Sequence, residues 1–284
     1  MSSSKPTKFE RDIELVKLFL SEYKDAEGNS YHISARPDKT ERTAKAIEAL
    51  AVDEHGHSLA VEHTMVEAFE GKKADDIPFF VVFEQLGSDS SLVLPNRLVD
   101  IQCPALAIPK GLDWKDIRQK VTEWFNEIRN DLPADGYGEY AIPDLGFELK
   151  VHVETINLPD TSGAVIASRV LPEGKPFIDV LRRALANKVP KLVETRADRH
   201  ILLLEDEGAG IGFYKVIHGL DSSMKETPRL KEVDEVWVVK TMSWQTSGTL
   251  FFYYVWPDGV KNRFRVLDGR FAKKDEFKPR ESVD

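Results

Sequence analysis

The stretch Ile47-Glu-Ala-Leu-Ala-Val-Asp-Glu-His-Gly-His-Ser-Leu-Ala-Val-Glu-His-Thr64 decides how this chain is read. Residues 49–52 and 59–61 have the pattern of two short apolar strands joined by a polar turn centred on Gly56. Paired as an antiparallel hairpin, they bring Glu48 and Glu62 to the same end of the ladder and leave Asp53 at the turn. Two carboxylates at one end of a sheet disfavour each other's ionisation unless a cation lies between them. This stretch therefore carries the candidate reaction centre.

On its N-terminal side, Phe9, Ile13, Val16, Leu20 and Tyr23 recur at helical spacing and predict an amphipathic helix. Residues 31–35 follow as a strand, and Asp38 or Thr40 caps a short helix through Ala46. On its C-terminal side a loop of mixed charge leads to the apolar run 78–83. Residues 92–108 are rich in Val, Leu and Ile but carry Pro95 and Pro104, which predicts edge strands. Asp113 caps a helix running to Ile128. Residues 131–146 read as loop, 147–153 as an alternating strand, and 163–170 as its partner. Residues 176–192 are helical in pattern, with Pro190 expected to kink or end the helix. Residues 199–205 are apolar without alternation, the mark of a strand buried on both faces. Residues 209–220 read as helix, 235–240 as a second buried strand, and 249–256 with 264–267 as a terminal hairpin. The expected fold is α/β, a mixed central sheet flanked by helices. It forms a single domain over residues 1–284 with an inserted α/β segment at about 84–175, because no break in composition compels two domains.

The 284 residues suffice for a sizeable core, and 42% apolar with 31% charged residues describes a soluble globular chain. The net charge of −9 gives the surface as a whole no attraction for nucleic acid, although a local basic groove escapes that argument. Cys103 is the single cysteine, so an internal disulfide and a cysteine zinc site are excluded, which fits a reducing, cytoplasmic location. No signal peptide or membrane span is expected.

Helix, strand, a strand opened by an acid, a strand ending in an acid, then a helix and a buried strand: this order resembles the core of the PD-(D/E)XK, or restriction-endonuclease-like, superfamily. Glu48-Ala-Leu-Ala-Val and Leu59-Ala-Val-Glu62-His-Thr64 are similar to uncharacterised bacterial members whose third strand ends in Glu-Val-Thr. Ala184-Leu-Ala-Asn-Lys188-Val-Pro-Lys191-Leu192, followed by Ile201-Leu-Leu-Leu-Glu205, resembles their lysine-bearing helix and next strand, and Glu235-Val-Trp-Val-Val fits their last core strand. The resemblance covers about half the chain in scattered pieces. It implies that Glu48 and Glu62 are ligands for Mg²⁺ (or Mn²⁺), and that the partner is nucleic acid, DNA in the first instance, cut by phosphodiester hydrolysis in a bacterial defence or repair setting. Asp53 is a possible third ligand by its position, its simpler role being to shape the turn. Thr64 stands where the family's catalytic lysine lies, two residues beyond the second acid. A lysine from elsewhere must then serve, Lys188 by preference, with Lys72 and Lys73 as further candidates. The competing class is a catalytically inactive nuclease-fold protein that binds protein or nucleic acid. Oligomeric state is left open.

Other residues offer further candidates. His55, His57 and His63 suggest zinc, but Glu62 and His63 point to opposite faces of a strand and cannot easily share an ion. Arg36 and Arg42 are candidates for phosphate contacts. Asp38 lies in a helix-like segment where a strand is needed, which leaves Glu48 the better acid. Glu10, Glu14 and Glu22 are candidates for an extra acid from the first helix. The glycines of 206–212 lack the spacing of a nucleotide-binding loop.

Overall fold

The computed structural model of the protein describes residues 8–40, 46–142, 144–156, 163–174, 176–207, 211–261 and 263–268. Its elements in chain order are α1 (Lys8–Glu22), β1 (His32–Ala35), α2 (Pro37–Thr40), β2 (Ala49–Val52), β3 (Ser58–Met65), α3 (Lys72–Ser88), β4 (Arg97–Pro104), α4 (Trp114–Ile128), β5 (Gly136–Ala141), β6 (Glu148–Thr155), β7 (Ala164–Val170), α5 (Pro176–Glu194), β8 (Arg199–Asp206), α6 (Phe213–Ser223), β9 (Glu235–Lys240), α7 (Trp244–Ser247), β10 (Thr249–Trp256) and β11 (Arg263–Leu267). They divide into two compact units, unit 1 from residues 1–68 with 177–284 and unit 2 from residues 69–176. The fold is α/β, with mixed sheets flanked by helices. The inserted segment is thus a unit of its own, and it begins at Phe69, ahead of the expected position.

Unit 1 is built on a seven-stranded sheet of order β1-β2-β3-β8-β9-β10-β11. β3, β8 and β9 run parallel, while the β1-β2-β3 meander and β9-β10-β11 are antiparallel. β8 is the middle strand, and Ile201, Leu202, Leu203 and Leu204 are all fully buried, as its unbroken apolar run requires of a strand covered on both faces. One face packs against α1. Its helical stripe, Ile13, Val16, Phe19, Leu20 and Tyr23, meets Ala49, Ala51, Val61, Leu203 and Trp237. Phe19 lies at the centre, with its ring 5.0 Å from Tyr23, 5.4 Å from Trp237 and 5.5 Å from Phe252. Burial of such a ring stabilises by about 1.5–3 kcal/mol. α5 covers the opposite face, with α6 beside it. The two helices approach so closely at Gly219 that a Cβ there would come within 2.6 Å of Leu181. α5 continues through Pro190 to Glu194, so the expected break does not occur.

Unit 2 holds a four-stranded sheet of order β5-β6-β4-β7 with α3 and α4 packed together. Its core joins Phe79, Val82, Phe83 and Leu86 of α3 to Val99 and Ile101 of β4 and Val121 and Phe125 of α4. Asp113 caps α4 as expected, accepting from the Lys115 N–H at 2.9 Å. Three expectations are corrected here. β4 is interior, between β6 and β7, because Pro95 precedes it and Pro104 is its last residue, so neither proline interrupts the ladder. β6 and β7 do not pair with each other; β4 lies between them. The stretch read as loop contains β5, whose Tyr137 and Tyr140 lie opposite His152 and Leu149 of β6. No described helix is long and apolar enough to cross a membrane.

Candidate functional site

The register of the β2–β3 hairpin places Ala49 opposite Val61 and Val52 opposite Ser58, so Glu48 and Glu62 stand together at one end. Gly56 takes a positive φ of 86° in the turn at the other end, a conformation that favours glycine. Glu62 is fully buried on the face covered by α5. A carboxylate there is tolerated only with strong partners. Lys188 Nζ lies 2.5 Å and Lys191 Nζ 2.7 Å from its Oε1, and the Glu48 N–H donates to Oε2 at 3.3 Å. Lys188 and Lys191 are three residues apart on α5, the spacing that puts both on one helix face. Lys191 also donates to the Ala46 carbonyl at 2.9 Å, fastening α5 to the segment that delivers Glu48.

Glu48 is half-buried. Its pKa is pushed up to about 7, first by burial and then by the negative charge of Glu62, with Asp38 adding to the rise and Lys188 working against it. The α2 residue Asp38 donates its N–H to the Ile47 carbonyl at 3.1 Å. Both its carboxylate oxygens are buried without a hydrogen bond, and Arg36 Nη2 lies 4.0 Å from one of them. Three acids therefore converge on the Glu48 end of the hairpin. One of them has its pKa raised to about 7 and another has oxygens without a hydrogen bond, but among the described residues this trio is not a group of three whose ligand atoms all lie within 4.8 Å of one another.

Asp53 is not part of this group. It lies beyond β2, five residues from Glu48, or about 16 Å along an extended strand. Its carboxylate accepts from the His55 and His57 N–H groups at 2.9 and 2.8 Å and meets the His57 ring at 2.8 Å. Of the two roles expected for Asp53, the contacts are those of the organiser of the turn, and its place in the metal-ligand set is corrected. Asp53→Ala should loosen the hairpin turn and leave the Glu62 ion pairs with Lys188 and Lys191 in place, so that amide exchange quickens at residues 53–57 and not at the Glu48 end.

Lys72 and Lys73 belong to unit 2, where Lys72 pairs with Asp76 at 2.8 Å. Glu14 pairs with Lys17 at 2.6 Å and Glu22 is exposed. Arg42, the Glu10 side chain and residues 208–210 lie outside the described residues. His55 and His57 stand at the wet turn, well separated in the hairpin from His63, so the three histidines form no zinc site.

His63 points to the α1 face and is 2% exposed. Its Nδ1 lies 3.6 Å from Asp12 Oδ1 of α1 and its Nε2 3.2 Å from Glu205 Oε2 of β8. Asp12, His63 and Glu205 offer ligand atoms within 4.8 Å of one another, and this buried acid–histidine cluster could hold a metal ion. Arg11 donates to both Glu205 oxygens, at 2.5 and 3.2 Å, and the Thr241 hydroxyl donates at 2.8 Å. Burial alone would raise the pKa of Glu205, but contacts with His63, Arg11 and Thr241 hold it below the usual value. Neither Asp12 nor Glu205 was legible as a partner of His63 in the sequence; the signals available were a buried-strand pattern ending in an acid and an acid on the first helix. Compared with family models, with curated proteins and with solved structures, the chain finds no match.

Proposed function

We propose that unit 1 is a divalent-metal-dependent nuclease that hydrolyses nucleic-acid phosphodiester bonds at the Glu48 end of the β2–β3 hairpin. The observation that carries this reading is the fully buried Glu62 carboxylate, set beside Glu48 and gripped by Lys188 and Lys191 from a helix on the same face. The succession α1, β1, β2, β3, then α5, β8 and β9 is the order expected of a restriction-endonuclease-like core, and it supports the same reading.

Glu48 and Glu62 would hold Mg²⁺ or Mn²⁺ through carboxylate oxygens, with Asp38 close by. The bound ion would polarise a phosphoryl oxygen and lower the pKa of the attacking water. Lys188, 24% exposed, is placed to turn from Glu62 towards an anionic substrate and offset charge developing on the phosphate. It thereby fills the role that Thr64 cannot. Lys191, more enclosed and tied to Ala46, keeps Glu62 ionised and oriented.

Cleavage of single- and double-stranded DNA and of RNA, with Mg²⁺ or Mn²⁺ and with EDTA, tests the assignment on the wild type, Glu62→Gln and Lys188→Met. Metal-dependent cleavage lost in both variants is expected. A second reading, a nuclease fold that binds without cutting, draws on the three donors that already satisfy Glu62. It predicts salt-dependent nucleic-acid binding with no cleavage of any of these substrates.

A further inference from the structure

We infer that Asp12, His63 and Glu205 form a second metal site, for a first-row transition ion of the Zn²⁺ class, on the opposite face of the sheet from the Glu48–Glu62 pair. His63 is held in the middle of β3 with its Nε2 buried and without a hydrogen bond, although it faces Glu205 Oε2 at 3.2 Å. Asp12 Oδ1, 3.6 Å from the ring's Nδ1 and in the same cluster of ligand atoms, likewise lacks a hydrogen-bond partner. Buried polar atoms without a well-aligned hydrogen bond are costly, and an ion ligated by this cluster would satisfy both.

The separation of Nε2 from Oε2 is close to the roughly 3.0–3.4 Å between two ligands that each lie about 2.1 Å from a tetrahedral or octahedral ion. One imidazole nitrogen with two carboxylates selects zinc or manganese over magnesium, whose preference is for oxygen and water alone. α1, β3 and β8 each contribute one residue, so the donors stand on regular elements rather than loops. Two carboxylates balance a divalent charge. Arg11, which now neutralises Glu205, has the exposed Glu207 at 3.3 Å as an alternative partner when the ion enters. Glu62 and His63 are neighbours on β3, so the two sites would stand back to back across one strand.

The test is metal content and coordination in the full chain, measured without reference to cleavage. Protein stripped of metal, then equilibrated with Zn²⁺ and desalted, should retain one equivalent by elemental analysis, and so should Glu62→Gln. Asp12→Asn, on a partly exposed position of α1, should lose most of it, with His63→Gln as the second variant. Co²⁺ in place of Zn²⁺ should give visible absorption that Asp12→Asn abolishes while its circular dichroism stays that of the folded wild type, which a merely destabilised fold would not show. Wild-type protein that retains no Zn²⁺ would overturn the site and leave His63 a ring set between two carboxylates. Retention lost in Glu62→Gln but kept in Asp12→Asn would overturn it as well, by placing the ion on the other face. Neither result depends on whether the chain cleaves nucleic acid.

Discussion

Glu62→Ala should lower the stability of unit 1 by about 3 kcal/mol, the largest single effect expected at this site. The wild-type carboxylate is fully buried and both Lys188 and Lys191 are directed at it, so its removal leaves two ammonium groups facing a cavity with only the half-buried Glu48 as a nearby counter-charge. Their side chains are 24% and 15% exposed, which lets each bend partly towards water and keeps the loss near the lower end for a broken buried pair. The triple variant Glu62→Leu, Lys188→Met, Lys191→Met should recover that loss or exceed it, since an apolar replacement avoids the desolvation of three charges. Urea denaturation of the three proteins measures both values. A Glu62→Ala variant within 0.5 kcal/mol of wild type, on the order of an ordinary surface substitution, would show that the lysines do not depend on this carboxylate.

Glu48→Gln should make stability in metal-free buffer less dependent on pH. Burial and the neighbouring Glu62 raise the Glu48 pKa from its ordinary 4.5 to about 7 in the folded chain. Between those values the folded state binds a proton that the unfolded state releases. The contribution is fully present below about 4.5 and is lost as pH rises through about 7. Glutamine cannot ionise and is spared that loss. Above pH 7 the variant should therefore gain on the wild type by about 1–2 kcal/mol, a range already reduced for the partial exposure of the carboxyl group. Thermal unfolding in EDTA at pH 5 and pH 8.5 gives the comparison. A difference between the two proteins that is the same at both pH values would contradict the assigned pKa. Saturating Mg²⁺ should restore the wild type at pH 8.5, because the ion binds the ionised carboxylate that is otherwise unfavourable.

Much of unit 1 was legible because its signals are local. The two-residue period around Gly56 fixes which acids share an end of the hairpin, and the apolar run 201–204 identifies the middle strand. Lys188 could be singled out from its helix. Lys191, three residues on, carries the same signal, but Pro190 between them suggested that the helix had ended. Unit 2 was read less well. Pro78 lies inside α3 and concealed a helix in an apolar run, and Gly136 and Gly138 made β5 look like loop. Pro104 suggested an edge, yet a proline at the last position of a strand removes no inner hydrogen bond. The Asp12–His63–Glu205 cluster could not be read from spacing at all. It exists because β8 inserts beside β3 in the sheet and α1 returns across that face, a placement set by packing among three elements far apart in the chain.

Diffraction from crystals soaked in Mn²⁺, recorded at the manganese absorption edge, tests the proposed centre most directly. The nuclease assignment predicts an anomalous peak between the Glu48 and Glu62 carboxylates, about 2.1 Å from an oxygen of each, with Lys188 Nζ withdrawn from Glu62. Saturating Mn²⁺ that leaves both lysines on Glu62 and produces no peak at that end of the hairpin would contradict it.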